Sequence, residues 1–250
     1  VQTFEEARSF FRPSLADLHD PFLMADMNAA VSRIERAIRD RENILIYGDY
    51  DVDGTTAVAM MYSFLKDTMQ LDFYIPDRYK EGYGLSKEGI EVAKKHNVDL
   101  IISLDCGIKA VDKIAYAKTL GIDFIICDHH NPGEKLPEAI AVLDPKRKDC
   151  NYPYKELSGC GVGFKLVQAF HQNNDGEFEE LLPLLDLLAI SIGADIVPMT
   201  GENRILAYHG LKVINEKPRP EFEAILKQVK KEIEVYKKSN IDPRAFVILD

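Results

Sequence analysis

Several things are scarce in this sequence, and each shortage removes a class of protein. Four cysteines (Cys106, Cys127, Cys150 and Cys160) form no CxxC pair, so a disulfide framework is not expected and reduced thiols are. No charged-then-apolar leader opens the chain. The longest apolar candidate, Leu181 to Val197, is broken by Pro183, Asp186, Ser191 and Asp195, so it falls short of the roughly 18 residues of a membrane helix. A soluble, cytoplasmic protein without a membrane partner is the expectation. Basic charge is also short: 31 Lys and Arg stand against 41 Asp and Glu, a formal net charge of −10. That balance ordinarily argues against a nucleic-acid partner, because phosphate affinity rests on Lys and Arg. Local patches and bound cations can reverse the inference. Internal repeats and low-complexity segments are lacking too.

What is present suffices for a sizeable core: 250 residues, 46% of them hydrophobic. Thr3 and Glu6 have capping-box spacing, which predicts a short first helix. After a loop with Pro13 and Pro21, the apolar positions Val31, Ile34, Ala37 and Ile38 predict a helix over 28–41. Strands are then expected at 44–47, 72–75, 99–104, 123–127 and 139–143, alternating with helices at 55–69, 86–96, 109–120 and 161–171. Short β-branched runs separated by helices of this length point to an α/β fold, a parallel sheet covered on both faces. From Phe178 the pattern is helical, with a break at 218–220. The closing AFVILD (245–250) reads as a strand with nothing after it to pair with, as at a cut inside a longer protein.

Acidic residues recur at one point of these units. Asp49, Asp51 and Asp53 follow the first strand, Asp77 the second and Asp105 the third. Asp128, His129 and His130 follow the fourth, and Asp144 the fifth. All are carboxyl ends of parallel strands, where open α/β sheets bind ligands. Taken singly, a DxD after a strand reads as a helix cap, and paired histidines as an ordinary loop. Together on one edge they form a hard-ligand set suited to Mn²⁺ or Mg²⁺. Two such ions would neutralise the crowded carboxylates, polarise a phosphorus ester and activate a water, so hydrolysis of that bond is the expected chemistry. DVDGT also matches the haloacid-dehalogenase phosphatase signature. There the nucleophilic Asp directly ends the strand, whereas Gly48, Asp49 and Tyr50 intervene here, and no GDxxxD or DD follows.

YGDYDVDG, LDCG, CDHH and GADIVP, in this order, resemble the DHH phosphoesterase superfamily, and within it the branch of single-strand-specific exonucleases. The resemblance runs from about Phe4 to Arg219 and takes in FFRPSL, IPDRYKEGYGL, LSGCGVGFKL and GENR. It implies a mostly parallel, Rossmann-like sheet flanked by helices and followed by a helical segment. The expected organisation is a helical lead (1–42), a DHH catalytic domain (43–200) and a helical connector (201–250) toward a second domain. That domain carries a Gly-Gly-His motif in the family, and no Gly-Gly occurs here. Metal ligation is implied for Asp51, Asp53, Asp105, His129 and Asp195, with Asp53 and Asp105 as bridging carboxylates and Asp49 as a ligand or its orienter. Asp195 is supplied by the resemblance alone. Asp128 is expected to orient His129, and His130 to contact the scissile phosphate or assist the leaving group. Where the wider family often has a histidine, this chain has Tyr47. Arg78 and Tyr79 suit a phosphate and a stacked base, and the helix opening at Gly161 suits a phosphate.

The implied activity is 5′–3′ exonuclease hydrolysis of single-stranded DNA with two Mn²⁺ or Mg²⁺ ions, in DNA repair and recombination. The implied protein is a monomer assisted by a single-strand-binding protein and a helicase. Two other readings keep the fold: a phosphoesterase of short oligonucleotides, cyclic dinucleotides or pyrophosphate, and a non-catalytic replication scaffold.

Overall fold

The computed structural model describes residue 3 and residues 10–238. The helix expected from Thr3 and Glu6 and the strand expected at 245–250 lie outside the described residues. Five strands form one sheet: β1 (Ile44–Gly48), β2 (Leu71–Tyr74), β3 (Leu100–Leu104), β4 (Asp123–Cys127) and β5 (Ala141–Leu143). Their order is β2-β1-β3-β4-β5, and every pairing is parallel. Strands that leave both faces to helices must be apolar on both, and β1 and β3 are buried at every position.

Alternation along the strands sorts these side chains into two cores. On one face Ile44, Ile46, Ile102, Leu104, Ile125 and Leu143 pack with residues of α1 (Met27–Asp40), α2 (Val52–Leu65), α5 (Gly159–Asn173) and α6 (Leu185–Ala194). On the other, Leu45, Tyr47, Ile101, Phe124, Ile126 and Val142 pack with α3 (Lys87–Lys95) and α4 (Val111–Thr119). Helices α7 (Gly201–Glu216) and α8 (Pro220–Lys238) complete the described chain, and α7 lies against α6. Gly210 allows that approach, because a Cβ there would sit 2.0 Å from the Leu185 carbonyl oxygen. No helix among the described residues is long and apolar enough to cross a membrane.

The sheet order places the functional edge. β1 connects outward to β2, and the chain then returns past β1 to β3, so a crevice opens between the carboxyl ends of β1 and β3. Register does the rest. Gly48, Leu104, Cys127 and Leu143 are aligned across β1, β3, β4 and β5. The next residue of each strand is an aspartate: Asp49, Asp105, Asp128 and Asp144. Four carboxylates therefore stand in one row, each at most 2% exposed.

Candidate metal centre

Asp49 directly follows β1 and is fully buried; one carboxylate oxygen accepts the Gly84 N–H at 3.2 Å, and burial raises its pKa. Asp51 is exposed and is the N-cap of α2, its Oδ1 accepting from the Gly54 N–H at 2.9 Å. The capping reading of DxD, disfavoured from sequence, is thus correct for Asp51, without removing it from the cluster. The helix starts at Val52 rather than Thr55, so Asp53 falls inside its first turn and is carried inward. A Cβ on Gly54 would lie 2.5 Å from the Asp49 carbonyl oxygen, so only glycine lets this turn close against the strand end.

Asp53 is held from three sides. The Gly159 and Cys160 N–H groups, at the start of α5, donate to its two oxygens at 2.6 and 2.8 Å, and the Ser191 hydroxyl donates at 2.7 Å. Ser191 Oγ also lies 2.8 Å from Ser158 Oγ, which accepts the Gly161 N–H at 3.1 Å. Each hydroxyl has one proton, so a single direction satisfies the chain: Gly161 to Ser158, Ser158 to Ser191, Ser191 to Asp53. The Gly161 N–H expected to hold a phosphate is therefore committed to Ser158, and Gly161 is buried. That expectation is corrected: this helix N-terminus serves Asp53, a carboxylate of the protein itself.

Asp105 adopts φ 59°, a left-handed conformation rare outside glycine, and its Oδ1 lies 3.2 Å from His129 Nε2. A Cβ on Gly159 would come within 2.5 Å of that oxygen, so glycine is required there as well. His129 Nε2 is 3.8 Å from Asp53 Oδ2 and 3.7 Å from Asp195 Oδ2. Asp195 caps the C-terminus of α6, and its other oxygen accepts the Ile196 N–H at 2.8 Å. The pattern of short strands carries no sign of this residue; α6 brings it in from a different layer.

Two ligand groups result. One atom from each of Asp53, His129 and Asp195 lies within 4.8 Å of the others, and the same holds for Asp49, Asp51 and Asp105. Asp105 joins them, since it also groups with His129 and His130. Asp53, expected to bridge, belongs to one group, whereas Asp105 belongs to the other and meets the first through His129. Asp77 is elsewhere: exposed, it accepts the Tyr79 and Lys80 N–H groups in a turn. Tyr47 is buried with its hydroxyl against Ser86 and Gly84 and stands in neither group.

The donors fit divalent cations. Asp49 Oδ2, Asp105 Oδ1, Asp195 Oδ2 and His129 Nδ1 are buried without a hydrogen-bond partner. Buried polar atoms are rarely left so, because each costs about 1–3 kcal/mol. Burial, followed by Asp53 and Asp51, pushes the Asp105 carboxyl up to about 11, and burial also raises Asp53. Carboxylates forced to hold protons are sites where a metal ion can replace them.

Asp128 does not face the His129 ring. Its Oδ1 lies 2.7 Å from His130 Nδ1 and accepts the His129 and His130 N–H groups at 2.7 and 3.1 Å. Burial opposes its ionisation, but the His130 ring and the Ile108 and His130 N–H groups outweigh it and hold its pKa low, while the pairing raises His130. The expected orientation of His129 by Asp128 is corrected accordingly; the partner is His130, whose Nε2 lies 3.0 Å from the Tyr83 hydroxyl. Arg78 lies over the Tyr50 ring at 5.1 Å, and Tyr79 is 95% exposed. All four cysteines are buried and unpaired, and burial raises the Cys106 and Cys127 thiols, so neither is an activated nucleophile.

An α/β protein whose carboxyl-edge crevice gathers hard donors for divalent ions is the class that this fold and site define. More particularly, the chain belongs to the DHH family: residues 43–192 match its description as the N-terminal domain. It is 45% identical over 226 residues to the single-stranded-DNA-specific exonuclease RecJ of Bacillus subtilis (strain 168), a match covering 90% of this chain and 28% of that protein. Among solved structures it resembles exonuclease RecJ bound to manganese, with TM-score 0.72, 31% identity, and 80% and 50% of the two chains covered. It also resembles RecJ of Thermus thermophilus in complex with Mn²⁺, with TM-score 0.69, 28% identity, and 83% and 29% covered. The chain thus spans a little over a quarter of the curated relative's length.

Proposed function

We propose that this chain carries the catalytic centre of a metal-dependent 5′–3′ exonuclease that hydrolyses phosphodiester bonds of single-stranded DNA. The observation that carries the reading is Asp105, a buried carboxylate with an unpartnered oxygen that groups with Asp49 and Asp51 on one side and with His129 on the other. Asp53, His129 and Asp195 would hold one Mn²⁺ or Mg²⁺ ion and Asp49 and Asp51 a second, with Asp105 shared. When bound, such ions supply Lewis acidity toward the phosphodiester and a hydroxide nucleophile near neutral pH. The protein's own part is positional. The α5 N–H groups and Ser191 fix Asp53, while the sheet register fixes Asp49 and Asp105. His130, held by Asp128, is partly exposed beside the cluster with a raised pKa, so it can present a proton to the departing oxygen. Tyr79 offers a face for a base and Arg78 a guanidinium for a phosphate.

The relatives' names support DNA as the substrate, and the neighbours' manganese supports the ion. The polarity, the setting in repair and recombination, the monomeric state and assistance by a single-strand-binding protein and a helicase belong to the same proposal. The test uses 5′- and 3′-labelled single strands with Mn²⁺ or EDTA. Release of label first from the 5′ end, only with metal and not by Asp105→Asn, is expected. Equal cleavage in EDTA would overturn the metal centre, and cleavage of short oligomers alone would replace the substrate.

A further inference from the structure

Two sequence motifs take no part in the cluster, GFKL (163–166) and GENR (201–204), yet they meet. Lys165 Nζ lies 2.7 Å from Glu202 Oε1, with the side chains 0% and 1% exposed. Nothing in this network is left over. The ammonium donates to Glu202, to the His19 carbonyl at 3.1 Å and to Gln168 Oε1 at 3.0 Å, which uses its three protons. Glu202 also accepts the His19 N–H at 3.0 Å and the Tyr152 hydroxyl at 2.7 Å.

The ends of the network matter. Lys165 belongs to α5, the helix whose first N–H groups clamp Asp53. Glu202 lies in the first turn of α7, which the segment 195–200 joins to Asp195. That segment is itself tied down: Asn203 donates to the Pro198 carbonyl at 3.1 Å, and the Tyr154 hydroxyl to the Thr200 carbonyl at 2.8 Å. Asp53 stands on α2 and Asp195 at the end of α6, two helices on one face of the sheet, and His129 follows β4.

We propose that the buried Lys165–Glu202 pair is a positioning device that sets the spacing of Asp53 and Asp195, and so tunes one ligand group and not the other. The inference rests on the reading of these residues as metal ligands. Asp49, Asp51 and Asp105 are placed by β1, the α2 cap and β3, which the hydrogen bonds of the pair do not reach.

The experiment is a Mn²⁺ titration followed by electron paramagnetic resonance and calorimetry, at a temperature where circular dichroism shows each variant folded. Wild type is expected to bind two ions. Glu202→Gln and Lys165→Met should weaken one site by about tenfold to a hundredfold, the usual scale for groups that orient ligands, and leave the other unchanged. The double variant Lys165→Met/Glu202→Leu removes both buried charges and should recover thermal stability without recovering the weakened site. If it recovers both, or if the single variants bind two ions as wild type does, the pair serves folding alone and the inference falls. A wild-type chain that binds no Mn²⁺ would overturn the metal reading itself.

Discussion

Two of the places where the molecule buries charge are built in opposite ways. Around Lys165 and Glu202 the charges are opposite, and each proton of the ammonium has an acceptor. Around Asp105 the charges are alike and buried oxygens lack donors. In the first cluster the protein supplies its own counter-charge, so the desolvation of both ions is offset internally. In the second it does not, and the strained φ of Asp105 and its elevated pKa mark a place arranged for something else. The contrast separates a buried network that is complete in itself from one left open to a ligand.

The sharpest way to break the comparison is to neutralise each cluster and look for effects of opposite sign. Asp105→Asn should lower nuclease activity about a thousandfold, the scale of several kcal/mol of lost metal catalysis, while raising the melting temperature in EDTA. Unchanged activity would make Asp105 structural. Lys165→Met should instead destabilise by about 3–5 kcal/mol, because it leaves a carboxylate buried and unpaired; denaturant unfolding in EDTA measures this. A loss below about 1 kcal/mol, the scale of an exposed pair, would mean water reaches Glu202.

Tyr79 belongs to neither cluster and is exposed, so it serves as the contrast to both. Tyr79→Ala should weaken binding of single-stranded DNA by about 1–3 kcal/mol, read by fluorescence anisotropy, with stability unaltered. Equal affinity would place the strand elsewhere.

The remaining expected effect is on pH. An unfolded aspartate titrates near about 3.9, whereas Asp105 in the folded, metal-free chain is pushed up to about 11. Between those limits the folded state holds a proton that the unfolded chain has released. Unfolding free energy should therefore fall as pH rises, by at most about 1.4 kcal/mol per pH unit for this group. Melting curves in EDTA at about pH 6 and pH 8, both inside that window, check it, and saturating Mn²⁺ should shrink the difference. A higher melting temperature at the upper pH would contradict the sign.

Much of this was legible in the chain itself. Apolar runs such as LIISL announce strands buried on both faces, and the five strands found fall within a residue or two of those expected. The row of Asp49, Asp105 and Asp128 was legible because residues that end neighbouring parallel strands must lie side by side. Other features were not. Ser158 and Ser191 read as unremarkable residues at a helix start and inside the apolar LLAISIG, and no local pattern says that their hydroxyls chain toward Asp53. Nor does any local pattern mark Lys165 and Glu202 as buried, since burial of a lysine becomes tolerable only when a partner from a distant helix is present.

The sequence by itself determined the elements and the single edge on which the strand-end aspartates gather, because periodicity and strand ends are short-range properties. Only the tertiary structure decided that Asp128 serves His130, that Asp53 is gripped by the helix starting at Gly159, and that Asp195 joins from α6. The last two are contacts between segments far apart in the chain, and the first turns on which way two neighbouring rings face. Their geometry follows from how helices pack on the sheet, which the spacing of residues along the chain does not encode.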